Sequence, residues 1–130
     1  MVQLQRADLI FPELSYTING LCFQVFRELG PGLLEQHYVK ALIQLLKENK
    51  IKYVEQYYIP VHFHDKFIGK RFVDILVDDK IVLEIKRGQF IPRQTIQQTL
   101  DYLKLLNLKL GLVVNFTNQG VFTKRVLNLY

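Results

Sequence analysis

Residues 72–86 read Phe72-Val73-Asp74-Ile75-Leu76-Val77-Asp78-Asp79-Lys80-Ile81-Val82-Leu83-Glu84-Ile85-Lys86. Two apolar runs flank a tight polar turn, Asp78-Asp79-Lys80, which is the pattern of two strands in a hairpin. The runs are nearly continuous rather than alternating, as in strands covered on both faces. Three charged side chains interrupt them: Asp74 in the first, Glu84 and Lys86 in the second. Successive side chains alternate faces along a strand, so Glu84 and Lys86 point the same way. The hairpin can bring Asp74 beside them. An isolated buried carboxylate is costly, so it must be paired, protonated or bound to a cation. Two carboxylates on neighbouring strands with a lysine close by suit a hard divalent ion such as Mg²⁺ or Mn²⁺. The alternative is plainer: Glu84 and Lys86 line the solvated face of a half-exposed strand, and Asp74 marks a strand end.

Outward from the hairpin, the spacing of apolar residues defines the other elements. Ile18, Leu21, Cys22, Val25, Phe26 and Leu29 give residues Ser15 to Leu29 a helical period. Gly30-Pro31-Gly32 breaks it. A second helix is expected from Leu33 to Asn49, with Leu34, Tyr38, Ala41, Leu42, Leu45 and Leu46 on its apolar side. Tyr53 to Phe63 reads as a strand, Phe67 to Val77 as its partner, and Ile81 to Lys86 as the third strand of a meander. After a loop with Gly88 and Pro92, Thr95 to Leu106 is an amphipathic helix. Leu110 to Phe116 and Val121 to Leu129 are two last strands. Mixed helices and strands in this order give a layered α/β or α+β domain.

The chain has 130 residues, 49% of them hydrophobic and 22% charged, which is globular composition and one domain's worth of chain. No stretch approaches the length of apolar sequence needed to span a membrane. The first residues, Met1 to Glu13, carry Arg6, Asp8 and Glu13 and lack the apolar segment of a signal peptide, so a cytoplasmic location is expected. Cys22 is alone, which excludes an intramolecular disulfide and a cysteine-based zinc site, and its apolar neighbours suggest a packed thiol. The net charge of +5 is compatible with a polyanionic partner.

Further residues recur around the acidic pair. Gly32-Leu33-Leu34-Glu35-Gln36-His37-Tyr38 is a GxxExxY motif opening the second helix. Arg71 precedes Asp74, and Gln98 and Tyr102 lie one helical turn apart. Asn115-Phe116 closes the strand after that helix. Taken together, in this order, these residues resemble the GxxExxY protein family, a branch of the PD-(D/E)XK nuclease superfamily, over about Ile18 to Leu129. The resemblance implies a restriction-endonuclease-like αβββαβ core with a mixed sheet flanked by helices. It further implies a metal held by Asp74 and Glu84, with Glu35 completing the acidic cluster, Lys86 assisting catalysis and Gln98 lining the site. Tyr102 would support Gln98 or contact the phosphate backbone. The expected activity is hydrolysis of nucleic-acid phosphodiester bonds, DNA being the expected substrate. The residue types fit that chemistry. Carboxylates hold a cation that polarises phosphate and acidifies water, and a lysine stabilises developing charge. A non-catalytic nucleic-acid-binding or protein-interaction module on the same fold is the alternative. No separate DNA-recognition domain is expected within these 130 residues, so sequence-specific cutting is not expected.

Other features carry less. Lys86, Arg87 and Arg93 bracket a loop beside the acids and, with Lys124-Arg125, could form a phosphate-tracking rim. His62 and His64 place two imidazoles on one strand face, but no third ligand accompanies them. His37 receives no role. Gly30-Pro31-Gly32 lacks the pattern of a phosphate loop and is expected to set the angle between helices and place Glu35. Tyr53, Tyr57 and Tyr58 could stack on bases, though strand aromatics more often pack a core. Apolar positions over Leu103 to Leu110 could serve a homodimer contact or the core.

Overall fold

The computed structural model describes residues 10–129. The reading of the leading segment, with Arg6 and Asp8, falls mostly outside the described residues. The elements run α1 (Pro12–Leu29), α2 (Glu35–Glu48), β1 (Tyr53–Phe63), β2 (Lys66–Val77), β3 (Ile81–Arg87), α3 (Arg93–Leu106), β4 (Leu110–Phe116) and β5 (Val121–Leu127). The first helix starts three residues before the expected Ser15, because Pro12 in the first turn needs no N–H donor there. Five strands form one sheet in the order β1-β2-β3-β4-β5. Every pairing is antiparallel except β3 with β4, which α3 joins as a crossover.

Helices cover both faces, so the expected αβββαβ core with a mixed sheet is what the chain forms. On one face α1 and α2 pack Ile18, Cys22, Leu42 and Leu46 against Ile75, Leu83 and Leu112. On the other, Tyr102 and Leu103 of α3 pack against Val73, Val82 and Val113. The central strands are therefore buried throughout: Ile81 to Ile85 and all of β4. Gly111 makes the α3 contact close, since a Cβ there would lie 2.6 Å from Thr99 Cγ2. Cys22 is buried as expected, and burial pushes its thiol up to about 12. No helix among the described residues is long and apolar enough to cross a membrane.

Regular sheet geometry breaks beside the acidic pair. Val73 packs under α3, yet Ile75, two residues on, packs under α1 and α2. Alternation on β2 thus breaks at Asp74, and across the ladder Gln56 has φ 52°, a left-handed conformation in mid-strand. β2 pairs with β3 only from Ile75↔Leu83 to Val77↔Ile81. Beyond that fork β1 and β2 run on as a two-stranded arm to a two-residue turn, His64-Asp65, with φ 49° and 62°.

One expectation needs correction. His62 and His64 do not share a strand face, because His64 belongs to the turn. No group of three metal-binding side chains forms among the described residues. Over Leu103 to Leu110, where a homodimer contact or the core was expected, Leu103 and Leu110 are buried in the two core clusters and Leu105 is half exposed.

Candidate functional site

The fork between β2 and β3 is where Asp74 and Glu84 meet. Since β2 stops pairing with β3 after Ile75, the next β3 amide would lack a ladder partner. Asp74 Oδ2 supplies one, accepting from the Ile85 N–H at 2.8 Å. That bond points the Asp74 side chain sideways into the fork. Glu84 is buried within β3, and its Oε1 has no hydrogen-bond partner. Its pKa is pushed up from 4.5 to about 9. Burial is the main cause, followed by the charge of Asp74 and a hydrogen bond with it, with the Lys86 charge pulling the other way. Lys86 thus shares the face of Glu84, two residues along the strand.

A second layer comes from α3. Gln98 Nε2 donates to the Tyr102 hydroxyl at 2.8 Å, which is the contact its spacing predicts. The Arg71 guanidinium lies 4.8 Å from the centroid of the Tyr102 ring. Burial and the nearby Glu84 charge raise the Tyr102 pKa, while Arg71 offsets them. Tyr102 is only 3% exposed, with Gln98 on its hydroxyl and Arg71 on its ring. Of the two roles expected for Tyr102, these contacts fit that of a support for Gln98.

Glu35 is the first residue of α2 and approaches from the opposite side. It lines a cleft with Leu34, Val39, Lys40, Gln56 and Asp74. It shares this cleft with Asp74, but no three acidic, histidine or cysteine side chains converge on one point among the described residues. The GxxExxY motif has a structural logic that sequence reasoning missed. Gly32 adopts φ 93°, open to glycine, and Tyr38 ties the loop down. The Tyr38 hydroxyl donates to the Gly30 carbonyl at 2.7 Å and accepts from the Leu33 N–H at 3.3 Å. Its ring stacks on Phe116 at 4.1 Å. His37, given no role from sequence, accepts the Leu34 N–H on Nδ1 and so caps α2.

The basic rim is only partly assembled. Arg87 Nη1 donates to the Leu33 carbonyl, and Arg93 is exposed at the start of α3. Arg125 bonds Ser15 Oγ and the Ile10 carbonyl beside α1, so it leaves the rim for the opposite face of the sheet. Asn115 pairs with Lys86 in the β3–β4 register; its Nδ2 donates to the Gly88 carbonyl and its buried Oδ1 has no partner. A larger cleft, between the Gly32 loop and residues 87–90 and 116–119, includes none of the acids.

The donor set suits a hard divalent cation. Two carboxylates face each other at the fork, and one carboxylate oxygen is buried without a partner, a position that is costly unless something satisfies it. Glu84 in its proton-holding state marks the same place, since a cation and a proton compete for one negative site.

Comparison with known proteins agrees with the fold. A family model described as the PD-(D/E)XK nuclease superfamily matches residues 12–126. No curated protein matches the chain. Among solved structures, that of SSO0001 superposes with a TM-score of 0.58 at 18% sequence identity, over 72% of this chain and 50% of that one. The likeness is one of fold, and the chain spans about half the length of that protein.

Proposed function

The chain belongs to the PD-(D/E)XK nuclease superfamily, and from that premise we propose that it is a metal-dependent nuclease of the GxxExxY type. Members of the superfamily act on nucleic acid and typically use divalent metals. In this proposal residues 1–130 act as one nuclease-like unit. Asp74 and Glu84 hold Mg²⁺ or Mn²⁺, and Glu35 joins from across the cleft through water. When bound, the cation supplies neutralisation of phosphate charge and a more acidic water. Lys86 stabilises negative charge at the attacked phosphate, or holds the water that attacks it. Gln98, fixed by Tyr102, shapes the wall of the pocket, and Arg71 adds positive charge beside it.

A single observation carries the reading. Asp74 is clamped by the Ile85 amide against a buried Glu84 whose Oε1 lacks a partner, with Lys86 on the same strand face. A structural ion pair would place a cationic side chain on that oxygen instead. The decisive experiment incubates purified protein with single- and double-stranded DNA and RNA in Mg²⁺, Mn²⁺ or EDTA, beside Glu84→Ala and Lys86→Ala. Metal-dependent cleavage lost in both variants is the expected result, and the substrate cut identifies DNA or RNA. Folded protein that binds nucleic acid equally well in EDTA, cuts nothing and tolerates Lys86→Ala would instead be a binding module on the nuclease fold.

A further inference from the structure

The arm that β1 and β2 extend beyond the fork has two unlike faces. Ile59 and Val73 on the inner face are buried against α3, and Arg71 beside them covers Tyr102. The cross-strand register puts Tyr58, Pro60, His62, Phe67, Lys70 and Phe72 together on the outer face, and all six are exposed. Three of them are large rings: Tyr58 is 47% exposed, Phe72 41% and Phe67 56%. A contiguous stripe of exposed rings on a small domain marks an interaction surface. The stripe is ordered by its own contacts. Tyr58 meets Phe72 edge-on at 5.7 Å, His62 meets Phe67 at 6.0 Å, and Lys70 Nζ lies 5.8 Å from the Phe72 centroid.

Charge and position identify the occupant. Lys70 is the charged side chain of the outer face, and the arm as a whole carries Lys66, Lys70 and Arg71 against one acid, Asp65, so it favours a polyanion. On the α2 side, opposite the face that Glu84 and Lys86 share, the stripe runs up to the Asp74 edge of the fork. Phe72 is two residues from Asp74 and Tyr58 two from Gln56, and both Asp74 and Gln56 line the cleft beneath α2. Flat rings with a cation beside them are what unpaired nucleotides require: bases stack while phosphate meets positive charge. A duplex keeps its base faces covered and offers the rings nothing. We infer that the outer face of the arm binds single-stranded nucleic acid and delivers it to the fork. This inference rests on the nuclease reading, and it names the form of nucleic acid that the site receives.

The test measures binding by the full chain in EDTA, where nothing is cut, using fluorescence anisotropy of a labelled thymidine homopolymer and of a duplex of equal length. Tighter binding to the single strand is expected, and Tyr58→Ala with Phe72→Ala should weaken it about tenfold or more while affecting the duplex less. Tyr58→Phe with Phe72→Tyr keeps both rings and should retain the affinity. If the double alanine variant fails to fold by circular dichroism, Phe67→Ala carries the same expectation. Single-strand binding unchanged in the alanine variants would overturn the inference. So would a wild-type dimer, seen by sedimentation, that the alanine variants dissociate without loss of oligonucleotide binding, since the rings would then seat a second copy. Failure of the nuclease reading looks different: no cleavage in any metal, with ring-dependent single-strand binding intact.

Discussion

Glu84 keeps its proton where an unfolded chain would have released it. With the pKa raised from 4.5 to about 9 by burial and by Asp74, the folded state holds the proton between those values and the unfolded state does not. The unfolded chain binds fewer protons in that window, so the stability of metal-free protein falls as pH rises from about 4.5 toward 9, and Glu84 ceases to contribute to the slope above it. Glu84→Gln removes the titration while keeping an uncharged side chain of nearly the same shape. The variant should match wild type near pH 4 and be more stable at pH 8, as read from urea midpoints in EDTA across that range. Parallel curves at all pH values would mean that Glu84 is ionised in the fold. At this scale the sequence was informative for a physical reason: Asp74, Glu84 and Lys86 interrupt apolar runs, and charge in a buried strand must be accounted for. For Tyr102, spacing on a helix reveals its neighbour, Gln98, but not that Arg71 closes over its ring from β2.

At the scale of elements, α3 carries Gln98 and Tyr102 to the site, and its seat is Gly111. The Cβ of an alanine at Gly111 would meet Thr99 Cγ2 at 2.6 Å, with the Val82 carbonyl and Leu103 behind it. Thr99 is fully buried and its hydroxyl is bonded to the Thr95 carbonyl, so it has no empty space to turn into. Gly111→Ala should therefore lift α3 from β4 and cost about 1–3 kcal/mol, the range for overpacking a core. Thermal unfolding checks the cost; a variant as stable as wild type would show that α3 can shift freely. Helices and strands were legible from periodicity because each buries one face or both. The fork was not. It depends on β2 leaving β3 after Ile75 and on Gln56 adopting φ 52°, and no property of glutamine signals a left-handed residue in a strand. Arg125 was placed on the wrong side for a related reason: which face a strand residue takes depends on register, and its partners at Ser15 and Ile10 are remote in sequence.

For the whole molecule, the proton on Glu84 and a cation at the fork are alternatives, and the fold couples both to stability. Anything that binds the folded state alone stabilises it, by about 2.7 kcal/mol at a hundredfold excess over the dissociation constant. Carboxylates bind metal deprotonated, so cation binding must displace the Glu84 proton and should tighten as pH rises toward about 9. The two dependences have opposite signs. Metal-free protein should melt lower as pH climbs from 6 to 8, whereas the upward shift in Tm on adding Mn²⁺ or Mg²⁺ should grow over the same interval. Asp74→Asn, which weakens the ligand pair, should shrink the metal-induced shift at every pH. Surface carboxylates such as Asp79, ion-paired with Lys52 at the β2–β3 turn and outside the fork, provide the control, since Asp79→Asn should leave the shift unchanged. A metal-induced shift that is equally large at pH 6 and pH 8, and indifferent to Asp74, would place the cation elsewhere on the protein and remove the fork from the chemistry.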